Sequence, residues 1–155
     1  INRCYQSIEK IAAHCENITA IVGCPSRNAV PEGKSLFNSA WFIQKGKVKS
    51  VIHKSLLPTY DVFDEYRYFE SGRKFECIEL NGEKIALTIC EDLWNVEDDP
   101  LYIHSPMEEL IKENPSFIIN IAASPFDYKH AHQRKAILRR NVKQYKIPLL
   151  YVISL

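Results

Sequence analysis

The stretch Ser116-Phe-Ile-Ile-Asn-Ile-Ala-Ala123 is an almost unbroken apolar run. A strand with one face in water alternates apolar and polar residues; a run like this suits a strand covered on both faces, as in a parallel sheet. Upstream, Ser105-Pro106 followed by Glu108 and Glu109 is a helix start, with Ser105 as N-cap and proline at the first helical position. That helix runs to about Glu113, where Asn114-Pro115 ends it. Downstream, Tyr128 to Tyr145 reads as a long basic helix with Ala131, Ile137, Leu138 and Val142 inward, and Ile147 to Ile153 as another buried strand. Ahead of these elements, Phe75 to Leu80 and Lys84 to Cys90 pair around Asn81-Gly82, a two-residue hairpin signal. Strand, helix, strand, helix, strand in succession predicts an α/β fold with buried, mixed strands.

The amino-terminal half is more varied. Ile8, Ile11, Ala12 and Cys15 mark the stripe of an amphipathic helix over Asn2 to Cys15. Thr19 to Cys24 reads as a buried strand stopped by Pro25. Phe37 to Gln44 and Val48 to His53 read as two strands joined at Lys45-Gly46-Lys47. The aromatic stretch Leu56 to Phe69 has neither a period of 2 nor one of 3.6, which predicts a structured loop holding one helical turn.

Composition narrows the function. The 155 residues are 46% hydrophobic and 25% charged, enough for an ordinary core in one domain. Twenty basic against nineteen acidic residues leave a formal charge of +1, without the basic excess of a nucleic-acid or membrane-surface protein. No apolar run approaches the roughly 18 residues that span a bilayer. The five cysteines, Cys4, Cys15, Cys24, Cys77 and Cys90, are odd in number and contain no CxxC pair. That pattern fits reduced thiols in a cytoplasmic protein and argues against a disulfide framework or a zinc site. The chain starts at Ile1 and stops on an apolar, strand-like run, so both ends read as cut.

Chemistry is best placed at Cys90, which closes the strand Lys84 to Cys90 and is followed at once by Glu91, Asp92, Leu93 and Trp94. A cysteine at such an elbow can project its sulfur into a cleft at the carboxyl end of a sheet, where open α/β folds bind ligands. The thiolate is the nucleophile and needs a base or a positive charge nearby; the alternative is a cysteine packed as a small hydrophobe, the reading for most of the other four. No histidine stands in a motif that would pair with it. Lys54 ends the strand Val48 to His53 beside an aromatic loop and could reach the same cleft to stabilise an oxyanion, or could be a solvated lysine flanking a strand.

Three motifs then form a pattern. Lys54-Ser-Leu-Leu-Pro-Thr-Tyr-Asp-Val-Phe-Asp-Glu-Tyr-Arg-Tyr-Phe69, Leu87-Thr-Ile-Cys-Glu-Asp-Leu-Trp-Asn95 and Asn120-Ile-Ala-Ala-Ser-Pro-Phe126 stand in order along the chain. Together they resemble the nitrilase-type (carbon–nitrogen hydrolase) glutaminase domain of glutamine-dependent NAD synthetase. The resemblance implies an α-β-β-α sandwich of mixed sheets flanked by helices, and a Glu-Lys-Cys triad without a metal or cofactor in this domain. By motif position Cys90 is the nucleophile on the glutamine amide, Lys54 sits beside the oxyanion, and Glu65 is a further carboxylate supporting lysine and substrate. Tyr60 and Ser124 match positions that contact glutamine, and Glu91 matches either a neighbour of the substrate's amino group or an orienter of the loop. Lys129 or His130 stands near the family's basic glutamine-binding position.

The departures carry information too. No segment matches the family's glutamate base, and the final strand, Tyr151-Val-Ile-Ser-Leu155, differs from the family's Tyr-Val-Asn-Gln-Val-Gly. The synthetase domain, where the resemblance implies ATP and magnesium, is absent. The expectation is an internal piece of a larger, homo-oligomeric enzyme whose ammonia feeds the synthetase domain of the same chain, inactive by itself. The alternatives are a stand-alone amidase of the same superfamily and a non-catalytic α/β scaffold.

Overall fold

The computed structural model describes every residue except 61, 97–99, 124–127 and 155, and the side chains of 128–130. Contacts divide the chain into two compact units, Ile1–Lys74 and Phe75–Leu155. The expected mixture of helices and sheets is present in each.

In the first unit, helix α1 (Asn2–His14) buries Ile8 and Ala12, with Cys15 buried just past its end. Ile11 of the expected stripe is 38% exposed. At 100° per residue it lies about 60° around the helix from Ile8, at the rim of the buried face. Strands β1 (Thr19–Gly23), β4 (Ser39–Gln44) and β5 (Lys47–His53) form an antiparallel sheet in the order β1-β4-β5. The central strand β4 is the buried one; β1, expected to be buried, is an edge strand and only half-buried. The β4–β5 turn is Lys45-Gly46, both at positive φ (51° and 72°), so Lys47 already pairs with Gln44 and the connection is one residue shorter than the sequence suggests. A register shift between Phe42 and Ile43 adds a bulge. Two short strands, β2 (Ser26–Arg27) and β3 (Leu36–Phe37), pair antiparallel, so Phe37, expected to open the strand that runs to Gln44, belongs to a separate ladder. The expected helical turn within the aromatic loop is α2 (Glu65–Tyr68).

The second unit is a four-stranded sheet in the order β6-β7-β8-β9. Strands β6 (Ile78–Leu80) and β7 (Glu83–Ile89) form the expected hairpin, with Asn81 and Gly82 at φ 53° and 84°. Strands β7, β8 (Phe117–Ala123) and β9 (Leu149–Ser154) run parallel, joined by α3 (Pro106–Leu110, extended by one 3₁₀ turn to Glu113) and α4 (Tyr128–Tyr145). Asn114 takes the left-handed conformation that ends the first crossover helix. Ala86, Leu93, Met107, Leu110 and Ile118 form the core beneath these helices, with Leu138 and Leu149 against it.

Three expectations change here. Ser105 occupies the N-cap position but makes no side-chain cap bond. Val142 is 41% exposed, because the inward position on α4 is taken by the fully buried Asn141. Among the described residues strand β9 is an edge strand with alternating burial, leaving Leu150 and Val152 more than half exposed; its apolar run resembles that of a strand with a neighbour on each side, and β8 pairs with it on one. Among the described residues no helix is long and apolar enough to cross a membrane.

Candidate active site

Each unit carries one group of the candidate residues. In the first, Lys54 follows the last residue of β5. Its backbone is fixed on both sides, the N–H donating to Asn38 O at 2.8 Å and the carbonyl accepting from Gly72 N at 2.8 Å. Its side chain is 1% exposed and its Nζ donates to Glu65 Oε1 at 2.7 Å. Glu65 begins α2, is 20% exposed, and accepts a second hydrogen bond from Asn38 Nδ2 at 3.3 Å. Lys54 is therefore not a solvated strand-end lysine. A buried ammonium needs a paired carboxylate, and Glu65 supplies it. Asn38 braces both partners, one through its carbonyl and the other through its amide. Nothing in the sequence marks it, because its two partners meet only through the fold.

The neighbouring His53 ring stacks on Phe37 with centroids 4.1 Å apart, and its Nδ1 shares a hydrogen bond with Ser39 Oγ at 2.9 Å. Burial pushes its pKa below the ordinary histidine value. Tyr60 is 40% exposed, with its ring edge-on to Phe63.

In the second unit, Cys90 starts a 3₁₀ turn, Cys90–Leu93, directly after β7. Its φ is +45°, the left-handed region that a residue with a side chain occupies only under constraint. The constraint is visible around the turn. Asp92 Oδ2 accepts the Ile89 N–H at 3.1 Å. Asn141 Nδ2, from α4, donates to Leu93 O at 2.9 Å. Asn120 Nδ2, from β8, donates to Cys90 O at 3.3 Å. Cys90 is half-buried at a strand-to-turn elbow at the carboxyl end of a parallel strand.

Glu91 is 3% exposed and accepts a hydrogen bond from Tyr102 Oη at 3.2 Å. Asn95 steadies that tyrosine's backbone, its amide donating to Tyr102 O at 2.9 Å and its Oδ1 accepting the Tyr102 N–H at 3.2 Å.

The structure thus joins Lys54 to Glu65 in one unit and places Cys90 beside Glu91 in the other. Ser124 lies outside the described residues, as do the side chains of Lys129 and His130, whose backbones belong to the first turn of α4. Sequence reasoning missed Asn38, Tyr102 and Asn141, and assigned no role to Asn120. A signal existed for Asn120, a polar residue inside an apolar strand. None existed for Asn141, which resembles any surface asparagine of a basic helix.

The carbon–nitrogen hydrolase family matches residues 8–101 of the chain. A glutamine-dependent NAD(+) synthetase from Synechocystis sp. is 40% identical over 142 residues, covering 88% of this chain and 25% of the relative. Among solved structures, the glutamine-dependent NAD+ synthetase of Acinetobacter baumannii, in complex with ADP, superposes with a TM-score of 0.81 at 26% identity, covering 99% of this chain and 27% of that one. A carbon–nitrogen hydrolase from Helicobacter pylori shares the fold at a TM-score of 0.76 and 20% identity, covering 97% of this chain and 52% of that one. The chain spans about a quarter of the length of the curated relatives it matches.

Proposed function

Because the chain belongs to the carbon–nitrogen hydrolase family, we propose that it hydrolyses the side-chain amide of glutamine, in the service of an ATP-dependent amidation of deamido-NAD to NAD. The observation that carries this reading is Cys90 held at positive φ at the carboxyl end of β7, a strained elbow of the kind that exposes a nucleophile. The buried Lys54–Glu65 pair supports it, since few structural needs require a lysine 1% exposed.

Cys90 Sγ, as thiolate, attacks the amide carbon of glutamine. The carbonyl oxygen becomes an oxyanion, for which the ammonium of Lys54 is the compensating charge. The C–N bond breaks as the amide nitrogen takes up the proton that the thiol gave up, ammonia leaves, and the glutamyl group remains as a thioester on Cys90. Water then attacks the thioester and releases glutamate and the thiol. Glu65 pairs with Lys54 and aims it, Tyr60 and Ser124 contact the glutamine, and Glu91 faces its amino group or orients the loop. The base that takes the thiol proton is not assigned to any residue here, because no segment matches the family's glutamate. Proton transfer by a positioned base is worth about 10²- to 10⁴-fold, so the chain alone releases little ammonia.

ATP and magnesium belong to a synthetase domain, and homo-oligomers joining the two activities complete the proposal. Within the chain, the five glycines are scattered and form no phosphate-cradling loop, and among the described residues no three His, Cys, Asp or Glu side chains could hold a metal. No step above uses either group.

The test is ammonia release from glutamine by the longest polypeptide in which the chain occurs, compared with its Cys90→Ala and Lys54→Ala forms. Both substitutions should abolish release. Undiminished release from Cys90→Ala would remove the nucleophile, and with it the reading.

A further inference from the structure

Asn120 is a polar residue in the middle of β8, and it is completely buried. Its Nδ2 donates to Thr88 Oγ1 at 2.9 Å and to Cys90 O at 3.3 Å, while its Oδ1 has no hydrogen-bond partner among the described residues. An orphaned buried carbonyl is costly, and an aliphatic side chain here would avoid that cost altogether. The amide group must therefore do something that apolar packing cannot. Its position shows what. β8 is held by both neighbours, with Thr88 opposite Asn120 and Ile89 opposite Ile121 on one side, and Tyr151 opposite Asn120 on the other. Asn120 is thus a fixed point in the sheet, and the carbonyl it reaches belongs to the residue where β7 leaves the sheet at φ +45°.

We propose that Asn120 is the positioning residue of Cys90: from the rigid strand β8 its amide holds the Cys90 carbonyl, and so keeps the left-handed elbow that aims the thiol. This role rests on Cys90 being the nucleophile. The competing role is simpler, with Asn120 present only to satisfy the Thr88 hydroxyl. Thr88 can be satisfied without it, since Thr88 Oγ1 also donates to Ile119 O at 3.3 Å.

The two roles separate by comparing Asn120→Leu, which removes both bonds, with Thr88→Val, which removes one and spares the bond to Cys90 O. Asn120→Ala serves beside Asn120→Leu, so that the result does not depend on accommodating a branched side chain. Two readouts are taken. The first is the sign of φ at residue 90, from the intraresidue HN–Hα cross-peak in the NMR spectrum of the isotope-labelled chain. The second is kcat and KM for ammonia release from glutamine by the longest polypeptide containing the chain. The expected result is loss of the positive-φ signature in both Asn120 variants and its retention in Thr88→Val. With it, kcat falls about a hundredfold at a KM within twofold of the parent, the size of effect expected from a displaced reacting group. Cys77, packed against the core of the second unit with its Sγ donating to Leu110 O, should keep its slow reaction with thiol reagents in every variant, which shows that the fold of that unit persists. Retention of positive φ in the Asn120 variants, or equal loss in Thr88→Val, would overturn the assignment. Cys90→Ser is run in parallel: full release by that form would refute the nucleophile reading itself, a result distinguishable from an Asn120 variant that merely behaves as the parent.

Discussion

Neutralising Glu65 should destabilise the first unit far more than neutralising Lys54, although the two form one ion pair. The asymmetry follows from their exposures, 1% for Lys54 and 20% for Glu65. Glu65→Gln leaves an ammonium buried without a counter-charge. Breaking a fully buried pair in this way costs about 3–5 kcal/mol. The partial access of water to position 65, and the carbonyl that glutamine still offers, reduce this to about 2–3 kcal/mol. Lys54→Met leaves a carboxylate that keeps its bond from Asn38 Nδ2 and can reach water, while the methionine fills the lysine stem; about 1 kcal/mol is expected. The double variant should return to within about 1 kcal/mol of the parent, since an apolar replacement of a buried pair is often neutral. Urea unfolding followed by Trp41 fluorescence in a Trp94→Phe background reads the first unit, because Trp41 lies in β4 of the same sheet. With a slope of about 1.5 kcal/mol per M, Glu65→Gln lowers the midpoint by roughly 1.3–2 M. A cost for Lys54→Met equal to or above that for Glu65→Gln would refute the buried-ammonium account.

Cys90→Gly should be more stable than Cys90→Ala by about 0.5–1 kcal/mol in thermal melts, because glycine removes the strain of φ +45° at some entropic cost; the opposite order would mean that the elbow is not left-handed. Gly72→Ala should cost more than 2 kcal/mol, roughly, since its Cβ would lie 2.5 Å from the His53 carbonyl and would push apart the backbone that holds Lys54. Gly82→Ala, with nothing within 4 Å and only a positive φ to oppose it, should cost about 1 kcal/mol, and equal costs at the two sites would contradict this geometry. Burial pushes the Cys77 thiol up to about 11, so at pH 8 it should react with iodoacetamide more than about a hundredfold slower than a free cysteine, as peptide mapping would show. A folded-state value raised above the unfolded one stabilises the fold fully below about pH 8.5, and that stability is lost as pH rises towards 11; Cys77→Ala should flatten the decline.

Local patterns were legible wherever local forces decide the outcome. Asn81-Gly82 announces its hairpin because both residues tolerate positive φ, and that tolerance belongs to the residues themselves. The crossover order of the second unit follows from a chain that must leave a parallel strand and return to the same end of the sheet. The aromatic loop with one helical turn was visible because it lacked any period. Misjudged positions share a different cause. Val142, the strand β9 and the strand β1 are apolar enough to be buried, and which of them is buried depends on what packs beside them. Hydrophobicity records the preference of a side chain and carries no information about its neighbours.

The same division runs through the candidate site. Sequence alone determined the chemical identities: a cysteine at a strand end, a lysine before an aromatic loop, a carboxylate within that loop, and an ordered set of motifs matching one family. These are legible because a family's motifs consist of particular functional groups, and spacing along the chain is enough to recognise them. Only the tertiary structure decided that Lys54 is buried on Glu65, that Asn38 braces the pair, and that Asn120 and Asn141 grip the Cys90 turn from two other elements. Each of these depends on hydrogen bonds a few ångströms long between residues far apart in sequence. Such bonds form only after the sheet has fixed the distance between strands, and no local pattern of residues encodes that distance.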